Sequence, residues 1–163
     1  LTALLNIFTD KKIDIDVSKI QAIQEKVNEE KKEVSPEEME RILQSARDLE
    51  KEGRYKDSLS KFQEYYDIFT VQGKEKDDVA TADFYNEYGW TFNKQAEYDR
   101  AIEYYEKSLA IRLKILGAEH PDVAASYNNL GNVYYNKGDK DKAIEYYEKS
   151  LAIYLKTQPS APA

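Results

Sequence analysis

Few side chains in this 163-residue sequence have the types and spacing that catalysis or metal binding requires. The chain has one histidine, His120, and no cysteine, so it cannot form the usual zinc site. The pairs Asp77 with Asp78 and Asp139 with Asp141 lack calcium-loop spacing and lie where helices should begin, where acids complement the helix dipole. His120, in Glu-His-Pro-Asp, is expected to cap a helix or form a turn. We therefore predict a non-enzymatic protein without metal or cofactor.

The overall composition excludes two classes of partner. The chain has 31 acidic and 24 basic residues and a formal net charge of −7, so it should repel the phosphates of nucleic acids. No apolar run approaches the roughly 18 residues that a membrane span needs, and no signal-peptide pattern is present. We expect a cytoplasmic protein that binds neither nucleic acid nor membrane.

An internal repeat dominates the sequence. Residues 101–113 return as residues 143–155, 42 positions later, with 12 of 13 positions identical and only Arg112 and Tyr154 differing. The match extends upstream, where Gly89 aligns with Gly131. Small residues at fixed places with large ones between them indicate helices that approach closely. The fourteen tyrosines are therefore expected to pack within and between repeats, which is favoured over a platform for stacking bases.

The pattern inside each copy resembles the tetratricopeptide repeat, whose signature combines Leu-Gly, tyrosine, alanine and phenylalanine at fixed spacing. The 42-residue period, with residues 116–124 and 127–131, resembles the kinesin-light-chain type in particular. The resemblance implies an all-α, right-handed superhelix of three helix-turn-helix repeats, at about 35–74, 78–117 and 120–157. It also implies a non-catalytic scaffold that binds a peptide or partner protein in a concave groove lined by the first helix of each repeat.

Local signals give the helix bounds and the ends of the chain. Ser35 and Pro36 are typical of a helix start, and Ser18 with Gln21 predicts a second capped helix before it. Residues 1–34 are thus expected to form an amino-terminal helical cap, and residues 158–163 a flexible tail. First helices are predicted at about 36–52, 78–95 and 121–137, and second helices at about 55–71, 98–116 and 140–156.

The resemblance also selects the groove-facing positions, counted from Ala46, Gly89 and Gly131. In the first repeat they hold Glu40, Leu43, Arg47, Glu50 and Lys51. Over all three repeats, the formal charges at the groove-facing positions sum to zero. The second repeat places Asp83 and the third Ala125 among them. The candidate partner-binding residues are Arg47, Asn86, Trp90, Asn93, Lys94, Asn128, Asn132, Tyr135 and Asn136.

Two features of this set suggest how a partner is held. Its five asparagines offer both donors and acceptors, which suits the backbone of an extended peptide; the alternative is that they solvate the helix and serve local packing. Trp90 is either a binding hot spot or packs against a flanking helix such as 18–33. Related co-chaperones grip a carboxylate with a lysine where this chain has Leu43, Asn86 and Asn128, so binding of chaperone tails is not expected.

Two other functions remain open at this point. The last predicted helix keeps Leu151 and Leu155, with Tyr154 replacing Arg112, and nothing after it caps the stack. The chain is therefore a candidate homo-oligomer through its uncapped ends. It is also a candidate accessory domain of a larger protein, since it begins with Leu and ends in a linker-like segment.

Overall fold

The computed structural model describes residues 34–157. The chain divides into two units, Leu1–Val34 and Ser35–Ala163, and the described residues from Ser35 onward belong to the second. The predicted amino-terminal cap and the predicted tail at 158–163 lie outside the described residues.

Residues 34–157 form six helices and no strand. Each helix packs against the next, as three hairpins that contact one another in order. This confirms the predicted all-α fold of three helix-turn-helix repeats. The helices are α1 (Pro36–Lys51), α2 (Tyr55–Val71), α3 (Val79–Lys94), α4 (Tyr98–Leu116), α5 (Pro121–Lys137) and α6 (Lys140–Thr157).

The first helix of each repeat begins at a side-chain cap. The Ser35 hydroxyl accepts a hydrogen bond from the Glu38 amide at 3.2 Å, and the Asp78 carboxylate accepts one from the Thr81 amide at 2.8 Å. His120 Nδ1 accepts a hydrogen bond from the amide of the second residue of α5 at 3.1 Å. The prediction that His120 caps a helix is confirmed, and these caps satisfy amides that have no partner within the helix.

Glycine allows the two helices of a repeat to cross at short range. A Cβ atom on Gly131 would lie 2.6 Å from the Tyr147 ring, and one on Gly89 would lie 3.2 Å from both the Ala101 carbonyl oxygen and the Tyr105 ring. Real Cβ atoms do not approach ring carbons as closely as the first distance. The repeated glycine is therefore a packing requirement of the helix crossing.

Aromatic rings fill the space between neighbouring helices. Tyr88 and Phe92 are fully buried, and the Tyr88 ring lies 4.4 Å from that of Tyr104 and 4.7 Å from that of Phe92, measured between centroids. Phe84 of α3 packs on Phe62 of α2, which joins the first two repeats. The predicted packing role is confirmed for Tyr88 and Tyr104, whose rings contact those of neighbouring helices.

The second and third repeats share their internal hydrogen bonds as well as their sequence. The Ser108 hydroxyl donates to the Ala82 carbonyl at 2.7 Å, and 42 residues later the Ser150 hydroxyl donates to the Ala124 carbonyl at 2.8 Å. Both bonds join the second helix of a repeat to its first helix in the buried core. Equivalent positions in these repeats can therefore be compared directly.

Candidate functional site

The predicted partner-binding residues lie on the first helices α1, α3 and α5. They differ in exposure, because some also contact the neighbouring repeat. Lys94, Asn128, Asn132, Tyr135 and Asn136 are exposed, whereas Arg47, Asn86, Trp90 and Asn93 are half-buried.

An ion pair joins α1 to α3 on this surface. The Arg47 guanidinium donates to both oxygens of the Glu87 carboxylate, at 3.0 Å and 3.3 Å, and also lies 3.6 Å from Glu40. The Thr91 hydroxyl of α3 donates a short hydrogen bond to the Glu50 carboxylate. Arg47 is therefore already paired, and it holds two first helices in register.

Glu50 is a carboxyl group of this surface whose pKa is perturbed. Burial raises its carboxyl pKa above the usual range, and the nearby Glu87 carboxylate adds to the rise. The hydrogen bond from Thr91 and the charge of Arg47 act in the opposite direction without overcoming it.

Asparagine pairs continue the connection from α3 to α5. The Asn129 side-chain amide donates to the Asn86 carbonyl oxygen at 2.8 Å, and the Asn136 amide donates to the Asn93 oxygen at 3.1 Å. These pairs favour the local-packing interpretation for Asn86, Asn93 and Asn136. Each side chain still has an unused polar atom, since an amide offers both a donor and an acceptor.

The remaining asparagines differ in their bonding. Asn132 accepts a hydrogen bond from the Tyr147 hydroxyl at 2.8 Å, which ties it to α6. Asn128 is exposed and makes no side-chain hydrogen bond within residues 34–157. It is thus the asparagine whose donors and acceptor are all available to a ligand.

Two aromatic side chains stand among these polar groups. Trp90 is half-buried, with its ring edge-on to Tyr55 of α2 at 5.5 Å between centroids. The Lys94 ammonium lies 4.9 Å from the centroid of the Trp90 ring. Tyr135 is 61% exposed, the most open aromatic ring among the described residues. The predicted contact of Trp90 with helix 18–33 falls outside the described residues, and the contact seen is with Tyr55.

The structure corrects one predicted groove position and identifies three residues that bond between repeats. Leu43 is 6% exposed and belongs to the hydrophobic core, because α1 carries an apolar residue where α3 and α5 carry asparagine. Glu87, Thr91 and Asn129 were missed because fixed counting from the glycine does not select them. Glu87 lies one helical turn after Asp83, Thr91 one turn after Glu87, and Asn129 one turn after Ala125. This spacing would have been the available signal.

The candidate chemical groups have structural partners. Asp78 caps α3, Asp77 pairs with Lys114, and the Asp139 carboxylate accepts from the Lys142 amide at the start of α6. Within the described part of the chain, no three His, Cys, Asp or Glu side chains converge as a metal site would require. None of its helices is both long and apolar enough to cross a membrane.

The fold and this surface define a class, the α-helical solenoids whose repeats are helix-turn-helix units. The family model described as tetratricopeptide repeat matches residues 38–114 and again residues 81–156. Since these overlapping matches cover most of the sequence, the chain belongs to the tetratricopeptide repeat family. Repeats of this family are generally scaffolds for protein–protein interaction. No curated protein matches the sequence at a significant level.

Three solved structures show the same fold. A putative kinesin light chain from Podosopora anserina with nearly identical TPR-like repeats is 24% identical, with a TM-score of 0.67 over 77% of this chain and 59% of that one. BtubC (BKLC) from P. vanneervenii is 22% identical, with a TM-score of 0.70 over 99% and 64%. The TPR domain of Arabidopsis FLU is 19% identical, with a TM-score of 0.60 over 75% and 98%. The chain thus spans less than two thirds of the first two, and the kinesin-light-chain-like repeat type is confirmed at the level of fold.

Proposed function

We propose that the surface formed by α1, α3 and α5 binds an extended peptide or a loop of a partner protein. The observation that carries this proposal is the combination of a half-buried Trp90, an exposed Tyr135 and a free Asn128 on helices fixed by inter-repeat hydrogen bonds. A rigid frame lowers the entropy lost on binding, because the receptor does not have to be ordered.

The aromatic residues are proposed to supply most of the affinity. Trp90 and Tyr135 offer large apolar areas whose polar ends can remain wet, which is typical of interface hot spots. Trp90 is already braced by Tyr55 and Lys94, so its ring is held in place before a ligand arrives.

The asparagines are proposed to contact the backbone of the ligand. Asn128 has its full hydrogen-bonding capacity, and Asn86 keeps its side-chain N–H groups after accepting from Asn129. Contacts to the ligand backbone depend little on side chains, so we expect the affinity to depend more on an extended conformation than on one sequence.

The test begins with selection from a displayed library of random extended peptides against the full chain. Enriched peptides are then titrated into the protein while the emission of Trp90, its single tryptophan, is recorded. Bound peptides should shift the emission to the blue and protect it from quenchers. Replacing Trp90→Asn, which introduces the residue found at Asn132, should leave the helices intact and weaken binding measured by calorimetry.

A matched pair of variants separates this surface from the rest of the molecule. Tyr135→Ala should weaken binding by more than about tenfold, as expected of a hot spot. Tyr154→Ala makes the same change on α6, away from the proposed groove, and should leave affinity unaltered. Equal effects of the two variants, or no effect of Tyr135→Ala, would overturn the groove proposal.

A cytoplasmic location belongs to the same proposal. The absence of cysteine means that the fold needs no oxidising compartment.

A further inference from the structure

The final helix α6 exposes a stripe of large apolar side chains. Ile144 and Leu151 are each 55% exposed, Tyr154 is 39% exposed and Leu155 is 69% exposed. Leu151 lies seven positions after Ile144, three before Tyr154 and four before Leu155, so these side chains share one face of the helix. No other helix among the described residues exposes as many.

The equivalent face of α4 is covered. Ile102 and Leu109, which occupy the positions of Ile144 and Leu151, are only 8% and 9% exposed, because α5 packs against α4. At the one differing position, Arg112 of α4 bonds to Ser126 of α5 at 2.9 Å. The face of α6 therefore has the chemistry of an inter-repeat interface.

The helix α1 differs from α3 on the face that α3 packs against the preceding repeat. α3 buries Thr81, Phe84, Tyr88 and Thr91 on the face that packs on the preceding repeat. At the same positions α1 carries Glu38, Arg41, Ser45 and Asp48, of which the three charged residues are exposed.

This difference decides which arrangement of two copies is favoured. Stacking the α1 end of one copy on the α6 end of another would bury Glu38, Arg41 and Asp48 against apolar side chains. That would cost more desolvation than it returned, because these charges would lose water without new partners. A two-fold arrangement instead places the α6 face of one copy on the same face of the other, and apolar surface meets apolar surface.

We propose that α6 is the contact helix of a two-fold, tail-to-tail dimer of this chain. Its charges allow the approach. Although the chain carries a net charge of −7, α6 itself has four lysines and three acidic residues, so two copies of it do not repel strongly. One helix per copy forms a smaller interface than the standard size of stable complexes, so the dimer dissociates on dilution.

Sedimentation equilibrium of the full chain, from roughly 1 µM to 1 mM, measures this directly. The mass should rise from 18.9 kDa toward twice that value and go no further. Leu155→Lys should hold the mass at one chain across the range. Val71→Lys is the matched control, because Val71 is 74% exposed on α2 and receives the same new residue.

Cross-linking distinguishes the geometry, since the chain has no cysteine of its own. Single-cysteine variants Ile144→Cys, Leu151→Cys and Leu155→Cys place one thiol on the proposed contact. At least one should form a disulfide-linked dimer under mild oxidation, because a two-fold axis brings identical positions together. Val71→Cys should not.

Several results would overturn the proposal. They are a mass of one chain at all concentrations, a dimer that persists in Leu155→Lys with unchanged helical content, and assembly beyond two copies. The groove is tested separately, because Leu155→Lys should retain the peptide affinity that Tyr135→Ala removes. Failure of one proposal leaves the other standing.

Discussion

Arg112 joins three helices through one side chain. It is 9% exposed on α4 and donates to the Asp83 carboxylate of α3 at 2.7 Å. It also donates to the Ser126 hydroxyl at 2.9 Å and to the Asp122 carbonyl oxygen of α5 at 3.4 Å. The repeat-to-repeat junction therefore depends on the residue at which the two 13-residue segments differ.

Replacing Arg112→Tyr copies the third repeat into the second and should destabilise the protein. Ser126 would lose a buried partner, while Asp83, whose side chain is 52% exposed, can be rehydrated. The expected loss in unfolding free energy is about 1–3 kcal/mol, measured by urea denaturation. The reverse change, Tyr154→Arg, is the control and should alter stability by less than about 0.5 kcal/mol at about 1 µM protein, where the proposed dimer is dissociated. Equal losses of stability in the two variants would show that the bonds of Arg112 do not stabilise the contact between the second and third repeats.

Glu50 should give the surface of α1 a distinct pH response. Burial raises the pKa of this carboxyl group in the folded chain, so ionising it costs folding free energy. That cost is absent below the ordinary pKa of 4.5 and is fully present above the raised pKa of the folded state. Its contribution to stability therefore falls as pH rises through that interval. Glu50→Gln keeps an acceptor for the Thr91 hydroxyl and removes the charge.

The variant should unfold at a higher urea concentration than the wild type at pH 7, by roughly half a kcal/mol, since the side chain is only partly buried. The advantage should shrink as the pH is lowered toward 4. A constant difference between the two proteins over this range would show that the Glu50 pKa is not raised.

At the scale of the helices, sequence patterns predicted most bounds closely because the ends carry their own signals. The predicted span 78–95 differs from α3 by one residue at each end, and the predicted spans 55–71 and 98–116 coincide with α2 and α4. Capping residues, prolines and glycines determine the backbone only within a few residues of their own positions. A single sequence is therefore sufficient to locate the helix ends.

Contacts between repeats could not be predicted in the same way. The bonds of Arg47 to Glu87 and of Asn129 to Asn86 join residues 40 and 43 positions apart. They depend on how far one repeat is rotated and shifted relative to the next, which a periodic pattern does not specify. The candidate residues could thus be assigned to α1, α3 and α5, while those already bonded between repeats could not be separated from the free ones.

The asparagine pair gives a direct test of that separation. Asn86→Ala and Asn129→Ala should each cost about 1 kcal/mol of stability, and the double variant little more, because they share one hydrogen bond. Asn128→Ala, one position from Asn129, should leave the urea midpoint unchanged, because it breaks no side-chain bond. In peptide titrations Asn128→Ala should show the larger loss. If Asn128→Ala instead lowered stability and left peptide affinity unchanged, the ligand would have to bind elsewhere.

At the scale of the whole molecule, the three repeats create surfaces of different kinds. The first helices present a polar, aromatic-bearing face whose frame is fixed by bonds between repeats. The last helix exposes apolar side chains at positions that α4 buries, while α1 exposes charges at positions that α3 buries against the preceding repeat. Because each repeat contacts only its neighbours, a change at one end should reach the other only through the stack.

Salt dependence tests whether the groove face and the rest of this acidic chain behave differently. With Glu87 included, the groove face carries three basic residues, Arg47, Lys51 and Lys94, and four acidic ones, Glu40, Glu50, Asp83 and Glu87. Arg47 is paired with Glu87, and Asp83 is paired with Arg112. Few free charges remain for a ligand, and affinity for an uncharged peptide should change by less than about twofold between roughly 50 and 300 mM salt.

A strongly basic peptide should bind by attraction to the net charge of −7, lose affinity steeply with salt, and be insensitive to Tyr135→Ala. A steep loss for an uncharged peptide that does require Tyr135 would show that the groove uses charges that this surface does not contain.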